Sequence, residues 1–441
     1  MQIWIGLTNK ELTSLDHRSV TIKSRSGQLR LLDKPGGALV HSFDGPITVY
    51  VFDGKLKISD KGRPIVGLSS ESAIFIAAQS EPILVADLCR AGGQDSVDAA
   101  YLGTLRIAVR SQDKLGLSLF CPIETYMRGV LESEMPASYH PEALKCQAVA
   151  ARTYALNPRI DHGPDKVSVC DSYLCCQYFS GLNKHIDPRI EDAIQKTSLK
   201  ILTYQQKPIL ALFSACAGGV TEDFQNCFSD PISNAFPPAP IAYLKSVFEG
   251  QFAQDPPLSH EALIRYLYSR DAEDKTFSAD AWNAKFRFKH VFTANQLEGQ
   301  MHFQIEKLRR IKDNAPFIVA PASNAFGLIK KFEPLKRSAA GTLIELGIHT
   351  SKGTWIIKKE LVIRSVFANP QARIKRLPSA KIFFEHRMDL NGLLAELSVM
   401  GTGSGHGVGL QQIGAHGHAK NGLKYEAILR HYYPGATLSS L

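Results

Sequence analysis

The chain has 441 residues, of which 44% are hydrophobic and 21% charged. That is the balance of a soluble globular protein with room for more than one domain. The formal charge is +9, but Lys and Arg are dispersed rather than blocked, which argues against a nucleic-acid partner and suits an anionic surface such as a cell wall.

Residues 1–95 read as β-rich. "SVTIKS", "PITVYVFDGKLKISD" and "SAIFIAA" are short β-branched or alternating runs separated by Gly, Asp and Pro, and "FDGK" reads as a hairpin turn. The opening "MQIWIGLTNKELTSL" has no basic segment followed by an apolar one, so no signal peptide is read there. No run of eighteen apolar residues occurs, so no spanning helix is expected. "GTLRIAVRSQDKLGLSLF" continues in strand style. The pattern then changes to helix: Ile123, Met127, Val130 and Leu131 of "IETYMRGVLES" lie at helical spacing. After Pro136 a second helix is expected over "PEALKCQAVAARTYAL", with Pro141 at its first position, Glu142 near the positive end of its dipole, and Ala148, Ala151 and Ala155 allowing a close neighbour.

Two glutamates near the end of the first helix differ in position. Glu124, Arg128 and Glu132 follow a four-residue step and read as one charge-paired polar stripe. Glu134 lies four residues after Val130 and seven after Met127, so it continues the apolar face. Partial burial and the negative end of the helix dipole both favour a protonated carboxyl there, the form a general acid needs. The structural alternative is an ion pair between Glu134 and Arg152.

"DHGPDKVSVCDSYLCCQYFSG" places Cys170, Cys175 and Cys176 close together, with His162 upstream. Four such ligands can form a tetrahedral, structural zinc site; a disulfide to a distant cysteine such as Cys216 is the alternative. The remaining cysteines, Cys89, Cys121, Cys146 and Cys227 among them, read as small buried hydrophobes. About residues 250–335 the chain turns helical and charged, in "SHEALIRYLYSR" and "QMHFQIEKLRRIK", and reads as an insertion. From about 341, "GTLIELGI", "TWIIKKELVIRSVF" and "AKIFFEH" read as strands. Near the end, "GTGSGHGVGLQQIGAHG" has glycine at every second position from 401 to 409. That pattern suits a backbone passing close to a ligand or to another segment. Its His406, Gln411 and Gln412 offer polar groups suited to sugar hydroxyls, and "LKYEAILRHYYPG" reads as an amphipathic helix with a Pro-Gly stop.

Taken together, "IETYMRGVLESEMPASYHPEALKCQAVAARTYAL", "VCDSYLCCQYFSG", "LFSACAGGVTEDF" and "GTGSGHGVGLQQIGAHGHAKNGLKYEAILRHYYPG" resemble the four ordered motifs of the SpoIID/LytB family of sporulation and cell-wall proteins. The resemblance implies an α+β fold, with a β-rich region over 1–95 and a mixed catalytic core over 96–441. It implies a peptidoglycan lytic transglycosylase that cleaves the MurNAc–GlcNAc bond of glycan strands stripped of stem peptides, working beside an amidase. Under it Glu134 is the catalytic acid, and Gln177 joins His406, Gln411 and Gln412 in contacting the glycan. Cys170, Cys175, Cys176 and His162 hold a zinc ion, with Cys175 standing where the family has histidine. The substrate is extracytoplasmic, so a signal or anchor is expected outside this chain. A glycan-binding amidase enhancer without activity is the alternative.

Overall fold

The computed structural model describes the chain except for residues 26, 61, 71, 79–80, 87, 89–97, 161, 163–166, 183–185, 251–258 and 271–276. Cys89 and the boundary expected at 95/96 lie outside the described residues. The chain forms two compact units, residues 1–211 with 438–441, and residues 212–437. The fold is α+β.

The first unit begins with two sheets. One contains the strands Gln2–Gly6, Lys114–Pro122, Thr104–Ser111, Ala73–Ala78 and Gln28–Leu32. The other contains Ser19–Ser24, Ile47–Phe52 and Lys55–Asp60. The expected hairpin is present: Phe52 pairs with Lys55, and Asp53 and Gly54 both have positive φ, 52° and 69°. The first sheet runs through the expected boundary, because strand 114–122 pairs with strand 2–6 on one edge and with strand 104–111 on the other. The segment after residue 96 is therefore not a separate start of the core.

Helices follow: α1 (Ile123–Glu134), α2 (Pro141–Leu156) and α3 (Pro188–Lys196). The expected apolar face of α1 is buried, with Ile123, Met127, Val130 and Leu131 all at most 1% exposed. In α2, Pro141 takes the first position and His140 Nδ1 accepts from the Glu142 N–H at 3.2 Å. Ala148, Ala151 and Ala155 are fully buried.

The second unit contains α4 (Phe224–Cys227), α5 (His260–Ser269), α6 (Ala294–Arg309), α7 (Glu360–Val366), α8 (Gln412–Lys420) and α9 (Tyr425–Tyr432). Its core gathers Phe292, Leu297, Ile305, Trp355, Ile363 and Leu397. The stretch 250–335 carries the expected helices, α5 and α6, and a strand besides: Arg287–Thr293 pairs with Leu394–Thr402, and α6 supplies Leu297, Met301 and Ile305 to the main core. One expectation changes here. "ELVIRSV" is helix rather than strand. Val362, Ile363 and Val366 fall on one helical face, and Arg364 Nη1 donates to Glu360 Oε2 at 3.1 Å, an i,i+4 pair that a strand would split onto distant positions. Among the described residues, no helix is long and apolar enough to cross a membrane.

Candidate active site and metal centre

Glu124 and Arg128 of α1 make their hydrogen-bonded ion pairs with other helices. Glu124 takes its partners from elsewhere: Arg152 of α2 donates through Nε to Oε1 at 3.0 Å and through Nη2 to Oε2 at 2.8 Å, and the Leu199 N–H donates to Oε1 at 3.1 Å. Arg152 is fully buried, so this two-pronged bond neutralises a charge that would otherwise be costly inside the unit. Arg128 makes the same fork with Glu191 of α3, at 3.0 and 2.9 Å. The stripe read from the four-residue step is thus a set of helix-to-helix ties, because neighbouring helices offer better geometry than the next turn. It also removes Arg152 as a partner for Glu134.

Glu134 ends α1 and is half-buried. Its Oε1 accepts the backbone N–H of Tyr178 at 2.7 Å. Next in sequence, Ser133 Oγ donates to Gly129 O at 2.6 Å and is hydrogen-bonded with Ser180 Oγ at 2.8 Å. The end of α1 is therefore fastened to the segment 178–180. Tyr178 stands edge-on to Tyr173, with ring centroids 5.8 Å apart, and Tyr173 is 54% exposed. This aromatic pair was missed in the sequence, where nothing marks two tyrosines five apart as neighbours.

The segment that carries Tyr178 is itself tied at several points. Strand Val169–Cys170 pairs in parallel with Ile5–Gly6. Asp171, fully buried, accepts from the N–H and hydroxyl of Thr8 at 2.9 and 2.6 Å. Ser172 O accepts the N–H groups of Cys175 and Cys176 in a tight turn. Gln177, expected to touch substrate, is 1% exposed. Its Nε2 donates to Tyr126 Oη at 2.8 Å and to Ala151 O at 3.1 Å. The structure gives it an internal position, pinning the segment to α1 and α2.

Cys170, Cys175, Cys176 and His162 come together, their ligand atoms all within 4.8 Å of one another. His162 Nε2 lies 3.0 Å from Cys176 Sγ and 3.9 Å from Cys175 Sγ, and the two sulfurs are 3.9 Å apart. Ligands about 2.3 Å from a tetrahedral zinc would place sulfurs roughly 3.8 Å apart, so the donor set fits that ion. Hydrogen bonding to Cys170, Cys175 and Cys176, in that order, pushes His162 up to about 12. The sulfurs thus make the cluster a place that attracts positive charge. All seven described cysteines are free thiols. Cys216 gives its S–H to Asp280 Oδ2 at 3.3 Å, and burial pushes Cys121 up to about 12.

The C-terminal candidates belong to the second unit. Gln411 is fully buried, accepting from Ser214 Oγ at 3.0 Å and donating to Gly409 O at 2.9 Å. His406 is half-buried, and its Nδ1 accepts the Val408 N–H at 3.0 Å. Gln412 is half-buried at the start of α8. The alternating glycines meet another segment of the same unit. Leu410–Gln411 pairs in parallel with Phe213–Ser214, and a Cβ on Gly409, whose φ is +72°, would lie 2.2 Å from Leu212 O. The "AGGVTE" stretch is likewise internal. Asp280 Oδ2 accepts from the N–H groups of Gly218 and Gly219 at 2.7 and 3.1 Å. The buried Lys381 donates to Ala217 O and Val220 O, and Glu222 accepts from Ser338 Oγ at 2.6 Å.

Comparison with known proteins matches these elements. The model of the SpoIID family, described as stage II sporulation protein, matches residues 111–204. A domain of unknown function, DUF8618, matches residues 230–409. Stage II sporulation protein D of Bacillus subtilis (strain 168) is 27% identical over 331 residues, covering 72% of this chain and 74% of that protein. Its counterpart from Bacillus amyloliquefaciens is 28% identical with the same coverage. The Amidase enhancer of Bacillus subtilis (strain 168) is 26% identical over 314 residues; the match takes in 71% of this chain but only 40% of that relative.

Proposed function

Because the chain belongs to the SpoIID family, we propose that it acts in cell-wall processing as a lytic transglycosylase on peptidoglycan glycan strands. The observation that carries this reading is Glu134: a half-buried carboxyl at a helix end, aimed by the N–H of Tyr178, whose ring packs edge-on to the exposed Tyr173. Protonated Glu134 gives its proton to the glycosidic oxygen between MurNAc and GlcNAc, and that bond breaks. The MurNAc carbon takes on oxocarbenium character. The carboxylate then removes the proton from the sugar's own 6-hydroxyl, whose oxygen closes an anhydro ring. One carboxyl serves as acid and then as base, so the second, nucleophilic carboxylate of a retaining glycosidase is not required. The faces of Tyr173 and Tyr178 suit the apolar faces of sugar rings. The formal charge of +9 suits an anionic wall and an extracytoplasmic setting.

Zinc belongs to the same proposal. Cys170, Cys175, Cys176 and His162 would hold it in a closed site, where it supplies folding energy rather than chemistry. Cys176 is two residues from Tyr178, so the cluster supports the N–H that aims Glu134. Metal analysis of the purified chain should find zinc that a chelator releases with the appearance of free thiols. Thiols that react fully before chelation would remove the zinc claim and leave Glu134 untouched.

A second reading has its own support. One relative carries the name Amidase enhancer, and a glycan-binding partner of an amidase would keep the same surface without cleaving. Incubation with glycan strands, with and without stem peptides, followed by mass analysis of the ends, separates the two. Anhydro-MurNAc ends, formed faster on stripped strands, are expected; bound but uncut glycan would support the enhancer.

A further inference from the structure

A second cluster of ligand-type side chains lies in the second unit, far in sequence from the cysteines. Glu249, His418 and His431 bring their ligand atoms within 4.8 Å of one another. Each is placed by a different element. Glu249 sits in a loop whose N–H donates to Gly219 O at 2.9 Å and whose carbonyl accepts the Ala279 N–H at 2.8 Å. His418 is on α8 and His431 on α9. Gly414 lies one turn before His418, on the same face of α8. A Cβ there would lie 2.6 Å from Glu249 Oε2 and 2.2 Å from Tyr432 Oη, so only a glycine lets the carboxylate approach the helix this closely.

The polar accounting around this cluster is incomplete. Glu249 is 1% exposed. Its Oε2 has two partners, His418 Nε2 at 3.1 Å and Tyr432 Oη at 2.8 Å. Its Oε1 and the Nε2 of His431 are both buried without a hydrogen-bond partner. Two orphaned lone-pair atoms beside a third donor are costly unless something sits between them.

We propose that Glu249, His418 and His431 form a second, cysteine-free binding site for a divalent transition metal such as zinc. Two imidazoles and one carboxylate are a borderline-soft donor set that suits this class of ion. The separation of His418 Nε2 from Glu249 Oε2, 3.1 Å, is close to the roughly 3.3 Å that two ligands about 2.0 Å from a tetrahedral ion would show. Tyr432 orients the carboxylate through its hydroxyl, the part an outer hydrogen bond plays around a metal. The ion would clamp the loop at Glu249 to α8 and α9, with a water in the fourth position. This inference does not depend on the proposed activity, nor on the cysteine cluster.

Cobalt(II) reports the two clusters separately, because only thiolate ligands produce sulfur-to-cobalt charge-transfer absorption. The metal-stripped full chain is titrated with Co²⁺, beside His431→Gln and His418→Gln variants shown to be folded by circular dichroism. The wild type should show one equivalent whose ligand-field bands come without thiolate charge transfer, separate from any thiolate-bound cobalt at the cysteine cluster. Both variants should lose that equivalent while any thiolate component stays. Zinc should also raise the melting temperature of the wild type more than that of either variant. Identical uptake and spectra in all three proteins would overturn the proposal and leave a buried water as the bridge between Glu249 and His431.

Discussion

In residues 123–178 the ionised groups tie helices together and one carboxyl is left half-open at a helix end, whereas in residues 401–417 the glycines and Gln411 face other backbone of their own unit. Both stretches are rich in motif-like sequence, and both were expected to contact a glycan. The difference lies in what surrounds them. Glu134 accepts the backbone N–H of Tyr178, a half-buried residue whose ring meets the exposed Tyr173, next to the Ser133–Ser180 hydrogen bond. Around Gly405 and Gly409 they are Ser214 and the carbonyl of Leu212, at distances that leave no room for a ligand. One stretch therefore leaves a carboxyl half-open at a helix end, and the other is a packing seam.

Substituting the two stretches should break the protein in different ways. Glu134→Gln is expected to lower glycan cleavage by about 10²–10⁴-fold with little change in stability, since the amide still accepts the Tyr178 N–H but cannot transfer a proton. Glu132→Gln should change the rate little. Release of anhydro-ended fragments and a urea midpoint for each variant measure both. Cleavage by Glu134→Gln near the wild-type rate would move the acid elsewhere and erase the contrast.

Gly409→Ala should do the reverse, losing about 2–5 kcal/mol of stability from left-handed strain and overlap with Leu212 O. Denaturant unfolding reads this directly. An unchanged midpoint would mean that the glycine seam is looser than its distances indicate.

The smallest effect belongs to Arg128→Gln, which removes the fork to Glu191 but leaves Glu134 alone. Both partners are partly exposed, so less than about 1 kcal/mol should be lost at neutral pH. Hydrogen bonding to Arg128 holds the Glu191 carboxyl below its ordinary 4.5. A lowered carboxylate stabilises the fold above its unfolded value and loses that contribution as pH falls through the folded one. The gap between wild type and variant should therefore close below about pH 4.5, and a gap that persists in acid would point to packing rather than charge.

Much of this was legible from residue order. The apolar face of α1, the proline start of α2, the Asp53–Gly54 turn and the glycine-rich approach all rest on local periodicity or backbone freedom. They therefore survive whatever packs around them. The cysteine cluster was visible because its three sulfurs are near in sequence. What was not visible depends on partners far apart in the chain. The four-residue step of Glu124 and Arg128 promised pairing along the helix, and α2 and α3 took those charges instead. Gln177 looked like a glycan contact until Tyr126 and Ala151 claimed its amide.

By itself the sequence determined which residues are chemically capable: one glutamate set apart on an apolar face, three thiols beside a histidine, and glycines where a chain must pass close. Only the tertiary structure decided which of them are open and which are enclosed. It turned Gln411 inward, brought the Tyr178 N–H to Glu134, and gathered Glu249, His418 and His431 from positions up to 182 apart. The reason is physical. Periodicity assigns a residue to a face of its own element, but exposure and coordination depend on distances between elements, which local patterns do not encode.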